Sequence, residues 1–181
     1  MREPLSYRSP EPSDVEKLAT LGRETFIETF GHLYQPRDLE TFLASKYTPE
    51  IIAREIADPD LRHQVVEHGK DLLAFIKVGP LDLPMSSPLP EASQIKQLYV
   101  RQAFAGRGIG KTLMTWALAE MEAAGIAHCY LSVFSENYRA IEFYRRCGFR
   151  KCGEYHFPVG KHLDLEWIMV RRPPSFSKFR V

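Results

Sequence analysis

Three alternating glycines dominate what this chain can fold into. They stand in the run Ala105-Gly106-Arg107-Gly108-Ile109-Gly110-Lys111, between a strand-like segment, Ile95 to Val100, and a helical one. The helix shows itself in Leu113, Met114, Ala117, Leu118 and Met121, which recur at helical spacing. Glycines at a strand-to-helix junction let successive amides approach an anion closely, and the helix N-terminus adds partial positive charge. Arg107 and Lys111 can add charge-assisted contacts. A phosphate or pyrophosphate is the natural ligand, because a plain tight turn needs fewer glycines.

Two ligand classes fit such a loop. Ala105 to Thr112 nearly spells the nucleotide-binding pattern G-x-x-x-x-G-K-[ST], with Ala105 at the first glycine. The following strand, Tyr130-Leu131-Ser132-Val133-Phe134, ends in no aspartate to organise magnesium, and the loop starts several residues beyond its own strand. A P-loop-like nucleotide-binding protein therefore stays as the runner-up. The dinucleotide pattern G-x-G-x-x-G fails, since Lys111 occupies the third glycine position.

The rest of the chain sets the frame. At 181 residues it suits one domain with a sizeable core, taken here as residues 1–172 with a tail at 173–181. A formal net charge of +1 lacks the basic footprint of a nucleic-acid or membrane-surface binder. No segment approaches a bilayer span or a leader's apolar core, so the expected compartment is the cytoplasm. Cys129, Cys147 and Cys152 and the six histidines show no metal-ligand spacing, and no metal is expected.

The first third reads as a short strand at Leu5 to Arg8, then three helices. The first carries Val15, Leu18, Ala19, Phe26 and Phe30; the second opens at Pro36; the third opens at Thr48-Pro49. Gln64 to Glu67 and Leu72 to Val78 read as a hairpin through His68-Gly69-Lys70. Pro80, Pro84, Pro88 and Pro90 interrupt the next stretch, which reads as a surface loop. The second half alternates: strand Ile95 to Val100, helix Gly108 to Ala124, strand His128 to Phe134, helix Glu136 to Arg146, and strands at Phe149 to Phe157 and Leu163 to Val170. That order indicates an α/β chain with a mixed sheet and helices on its faces.

Along Ile95 to Val100 the apolar positions 95, 98 and 100 break a period of two. Either the strand carries one extra residue, a β-bulge that frees backbone groups to face a ligand, or it is buried on both faces.

A second motif lies downstream: Asn137-x-x-Ala140-x-x-Phe143-Tyr144-x-x-x-Gly148-Phe149. On a helix, Asn137, Ala140 or Ile141, and Tyr144 share one face. Together with the glycine loop, the stretch from Leu98 to Phe149 resembles the GNAT superfamily of acyl-CoA N-acetyltransferases. That family's loop is usually [QR]-x-x-G-x-[GA]; Gly108 and Gly110 match it, and Ala105 replaces the usual first residue.

The resemblance implies the GNAT fold, a mostly antiparallel sheet with one parallel strand pair and helices on both faces. It implies acetyl-CoA as co-substrate, with its pyrophosphate on the amides of Gly106, Arg107, Gly108, Ile109, Gly110 and Lys111. It implies that Leu98 and Val100 pair with pantetheine and polarise the thioester carbonyl, that Asn137 contacts the CoA arm, and that Tyr144 is the acid for the departing thiolate.

A narrower likeness, to the PaiA-like polyamine acetyltransferases, rests on Glu24-Thr25-Phe26-Ile27-Glu28-Thr29-Phe30, Leu98-Tyr99-Val100, Phe157-Pro158-Val159-Gly160 and Ile168-Met169. It implies a primary amine acceptor, a polyamine among them. Glu24 and Glu28, one helical turn apart, could bind such a cation or simply form a solvated face. Gln94 stands where related proteins often carry an acid, which leaves the general base open. An alkyl ammonium with pKa ~10.4 is neutral in only about one molecule in 2500 at pH 7, so some group must take its proton. Direct attack is favoured over an acyl-enzyme, since nothing activates Cys129 or Cys147. A non-catalytic acyl-CoA sensor is the other reading, and a homodimer stays open.

Overall fold

Proline opens three helical stretches of the first third. Pro12 begins a 3₁₀ turn that runs into α1 (Val15–Phe30), Pro36 begins α2 (Pro36–Lys46), and Pro49 begins α3 (Pro49–Ala57). At a first turn the missing N–H is no loss. Thr48 completes the α3 start, its hydroxyl accepting the Ile51 amide at 3.3 Å. The computed structural model describes residues 4–172, and the expected tail at 173–181 lies outside the described residues.

Among the described residues seven strands form one sheet in the order β1-β2-β3-β4-β5-β7-β6. They are β1 (Ser6–Arg8), β2 (Arg62–His68), β3 (Asp71–Pro80), β4 (Ala92–Val100), β5 (His128–Phe134), β6 (Arg150–Val159) and β7 (His162–Arg171). All neighbours are antiparallel except β4 and β5. That parallel pair requires a crossover, supplied by α4 (Ile109–Ala123), and α5 (Tyr138–Arg146) joins β5 to β6. The expected mixed sheet with one parallel pair is what forms.

Each face of the sheet buries its own apolar layer. Leu113, Met114 and Ala117 of α4 and Ile141 of α5 pack on Ile76, Ile95, Leu131 and Met169. On the opposite face Leu18 and Leu21 of α1 and Ile52 of α3 cover Val65, Leu72 and Phe75. The proline-interrupted loop does more than cross the surface: Leu81, Leu83, Met85 and Leu89 cover Tyr130, Ile168 and Val170. It is tied down where the Asp82 amide donates to Gln94 Oε1 at 3.0 Å and the Leu89 amide to the Tyr130 hydroxyl at 3.0 Å. Among the described residues no helix is long and apolar enough to cross a membrane.

Two features of β4 position the site. Val78 pairs with Ile95 but Lys77 pairs with Gln97, so Lys96 is an extra residue. This bulge resets the alternation. Leu98 and Val100 join Ile95 on the α4 face, while Gln97 and Tyr99 turn toward α1 and α2. Beyond the bulge the strands part. The β4–β5 ladder runs only from Ala92–His128 to Gln94–Tyr130, although β4 continues to Val100 and β5 to Phe134.

Candidate active site: a cleft where two strands part

The gap between β4 and β5 opens into a cleft of about 1550 Å³ that reaches from the glycine loop to Asp82. At the loop end, Gly106 and Gly108 have φ of 81° and 82°, the left-handed region that suits glycine. A Cβ at either would meet no atom within 4 Å, so both border open space. Gly110 differs: it lies within α4, and a Cβ there would touch Phe143 at 3.7 Å. Among the described residues the amides of Gly106 to Lys111 donate to no acceptor. Lys111, Arg139 and Arg146 line the same end and enter no ion pair among the described residues. Arg107 rests over the Phe104 ring, 4.9 Å from its centre. A run of unpaired amides at a helix start, with open space before it and cations beside it, fits a diphosphate.

Along the cleft, the backbone edge of β4 at Leu98 and Val100 has no ladder partner on the β5 side, while both side chains pack toward α4. Asn137 caps α5, its Oδ1 accepting the Ala140 amide at 3.2 Å, which leaves its amide nitrogen free to donate into the cleft. Tyr144 is buried beside Phe143 and Phe149, with ring centres 5.4 and 6.0 Å away. Its hydroxyl makes no hydrogen bond among the described residues. Burial, and then the charges of Tyr99 and Glu166, raise the phenol pKa, so the proton stays on oxygen at neutral pH.

The opposite wall is acidic and aromatic. Glu166 and Asp164, two residues apart on β7, both line the cleft. Burial pushes Glu166 up to about 7; the Ser132 hydroxyl offsets part of the rise and the Asp164 charge adds to it. Asp164 accepts a short hydrogen bond from the Tyr34 hydroxyl at Oδ2. Its buried Oδ1 has no hydrogen-bond donor: His162 Nε2 lies 3.0 Å away but out of line. Gln97 donates to the Tyr47 hydroxyl at 3.1 Å, and that hydroxyl donates to Tyr99 at 3.4 Å.

The two acids that the helix pattern suggests for a cation have other work. Glu24 pairs with Arg101, and Glu28 accepts the Gln102 amide at 3.0 Å, so both fasten α1 to the turn after β4. Gln94 is spent on the Asp82 amide. Cys129 is buried, and that burial pushes its thiol up to about 12; Cys147 is shifted the same way. Neither is poised as a thiolate nucleophile.

A family model for the acetyltransferase (GNAT) family matches residues 22–149, well over half of the chain. The chain is a member of the GNAT acetyltransferase family. Among its relatives, the spermidine N(1)-acetyltransferase of Thermoplasma acidophilum is 26% identical over 146 residues, 81% of this chain and 88% of that protein. An uncharacterized N-acetyltransferase of Lactobacillus delbrueckii subsp. lactis is 25% identical over 158 residues, 87% of this chain and 91% of that one. Among solved structures, the PaiA N-acetyltransferase of Thermoplasma acidophilum in complex with coenzyme A superposes with a TM-score of 0.76 at 23% identity, covering 94% of this chain and 99% of that one.

Acetyl-CoA is thus the co-substrate, as in GNAT enzymes generally, and the unpaired amides of Gly106 to Lys111 suit it. The P-loop reading falls with the family match. Glu166 and Asp164 are not among the residues to which the GNAT motifs point. One signal for them exists in Leu163-Asp164-Leu165-Glu166, where two acids alternate along a strand that then turns wholly apolar at Ile168-Met169-Val170.

Proposed function

We propose that this enzyme moves the acetyl group of acetyl-CoA to a cationic primary amine by direct attack, with residues 1–172 as one catalytic unit. The observation that carries this reading is the cleft itself. It joins unpaired amides at one end, suited to a diphosphate, to the buried carboxylate of Asp164, the half-buried one of Glu166 and aromatic rings at the other, suited to an ammonium group. In this reading the amides of Gly106 to Lys111 hold the pyrophosphate. The free edge of β4 at Leu98 and Val100 pairs with the pantetheine amides, Asn137 donates to the same arm, and Tyr144 protonates the leaving thiolate. Asp164, with one buried oxygen lacking a donor, anchors the cation. A polyamine is the acceptor favoured by the relative that acetylates spermidine. Free thiols, Cys152 among them at the surface, suit a cytoplasmic setting.

Gly108→Val tests the donor end. The substitution forces a β-branched residue into a left-handed backbone and fills the space in front of the amides. Acetyl-CoA affinity measured by calorimetry should drop at least tenfold, with the far-ultraviolet spectrum unchanged. Wild-type affinity in a folded variant would overturn the placement of the pyrophosphate. At the other end, CoA release should be fastest with polyamines in a panel that includes amino acids and peptide N-termini. The KM for the polyamine should rise with salt, because exposed charge attraction is screened within ~10 Å at 0.1 M.

A further inference from the structure

We propose that Glu166, which lines the cleft from β7 together with Tyr34, Tyr99, Tyr144 and Tyr155, is the general base that takes the proton an ammonium acceptor must lose before it attacks. The inference rests on the acetyltransfer reading above and adds to it the residue that the GNAT motifs leave open.

Elimination among the cleft's acids supports the assignment. Glu28 accepts a backbone amide, Glu55 pairs with Lys77 at 2.6 Å, and Asp82 pairs with Lys96 at 2.6 Å. Asp164 holds Tyr34, and Asp58 and Asp60 stand exposed beyond α3. Glu166 is in no ion pair among the described residues. The titratable and polar groups that line the cleft beside it are Asp164 on its own strand, Tyr155 directly opposite on β6, Ser132 from β5, Tyr99 from β4, Tyr144 from α5 and Tyr34 from the segment before α2. No cation is among them. A carboxylate that lines a cleft, is only partly exposed and enters no ion pair is a better base than a paired or fully solvated one. The upward shift to about 7 matches that setting. Glu166 stands directly opposite Tyr155 of β6 and two residues along β7 from Asp164, in the same cleft that Tyr144 lines.

The protons balance as follows. The ammonium gives one proton to Glu166, and the freed lone pair forms the carbon–nitrogen bond. The carbon–sulfur bond breaks, and sulfur leaves with its electron pair and takes the phenolic proton of Tyr144. The new amide nitrogen sheds its second proton, which restores the phenol. Glu166 releases its proton to water, so one proton is liberated per turnover.

The pH dependence of kcat/KM with an alkyl diamine separates this from other schemes. The wild type should rise to a plateau with an inflection near 7. Glu166→Gln, of the same shape, should fall by ~10²–10³-fold at neutral pH. Its rate should then climb about tenfold per pH unit toward the acceptor's own pKa of ~10.4, since it must wait for free amine. Glu166→Asp should retain an inflection at a reduced rate. Acetyl-CoA affinity should be unchanged in both variants. A Glu166→Gln enzyme with the wild-type profile overturns the assignment and leaves acetyltransfer standing. If Glu166→Gln fails to bind acetyl-CoA, Glu166→Asp decides, and a profile without the inflection overturns it. A wild type that neither binds acetyl-CoA nor releases CoA sinks both readings.

Discussion

The hydroxyl of Tyr144 has no hydrogen-bond partner among the described residues, although its ring lies against Phe143 and Phe149. Tyr144→Phe therefore removes one oxygen and no internal hydrogen bond, so the fold should be indifferent to it. Chemistry should not be. A thiol of pKa ~8.5 leaves fairly well by itself, which puts the expected loss of kcat toward the lower end of the ~10²–10⁴-fold range of acid–base catalysis. Acetyl-CoA affinity should stay within a factor of ~3. Stopped-flow CoA release beside calorimetry measures both quantities, and an unchanged kcat would reduce Tyr144 to a packing residue. Because burial raises this phenol, its own ionisation should not cut the rate anywhere near neutrality.

The seam between α3 and the β2–β3 hairpin is where elements and pH meet. Lys77 on β3 is buried and pairs with Glu55 of α3, while His63, directly opposite Lys77 on β2, is buried as well. Burial, then the Lys77 charge, lowers the His63 pKa from 6.5 to about 4. The unfolded chain thus takes up this proton first as pH falls, and the stability present above 6.5 is lost between 6.5 and 4, by about 2–4 kcal/mol. Glu166, raised from 4.5 to about 7, slopes the other way over the same window, so the difference between variant and wild type is the readout. His63→Gln should flatten the fall in Tm from pH 7 to pH 4.5 by several degrees; parallel curves for the two proteins would refute the burial account. Elements of this kind are legible in sequence because their signals are local. Prolines at first turns, the Thr48 cap and the glycine loop all lie within a few residues of what they specify, whereas the broken alternation at Ile95 to Leu98 suits a bulge or a strand buried on both faces, and the register against β3 decides for the bulge. Partners distant in the chain are not legible. Tyr34 meets Asp164 from 130 residues away and Glu24 meets Arg101 from 77, so no local pattern shows that Asp164 holds Tyr34 or that Glu24 is spent. The stretch after Pro80 misleads for a related reason: its prolines announce irregular backbone, but only the sheet face beneath shows why its leucines are there.

At the scale of the whole molecule, the sheet is two halves sharing a short hinge. Among the described residues β1 to β4 form one half and β5, β7 and β6 the other, joined across the sheet by the short ladder from Ala92–His128 to Gln94–Tyr130 and the Glu91 carbonyl just before it. Past that ladder the facing edges carry backbone donors and acceptors without ladder partners, and the α4 start adds the unpaired amides of Gly106 to Lys111. A ligand that pairs with one edge while its diphosphate sits on the loop therefore supplies bonds that folding alone leaves unmade. It binds the native state and not the unfolded chain. At a hundredfold excess over Kd such a ligand stabilises by ~2.7 kcal/mol, and a chain of this size shifts by ~2–4 °C per kcal/mol. Saturating acetyl-CoA should accordingly raise Tm by roughly 5–10 °C, where magnesium-ATP should not. Hydrogen exchange adds the location: protection should rise at Leu98, Val100 and the amides of Gly106 to Lys111. The β1–β2 pairing, on the far edge of the sheet, should change little. A Tm shift accompanied by uniform protection, or by protection that spares β4 and the glycine loop, would mean that the ligand stabilises the protein from somewhere other than this gap.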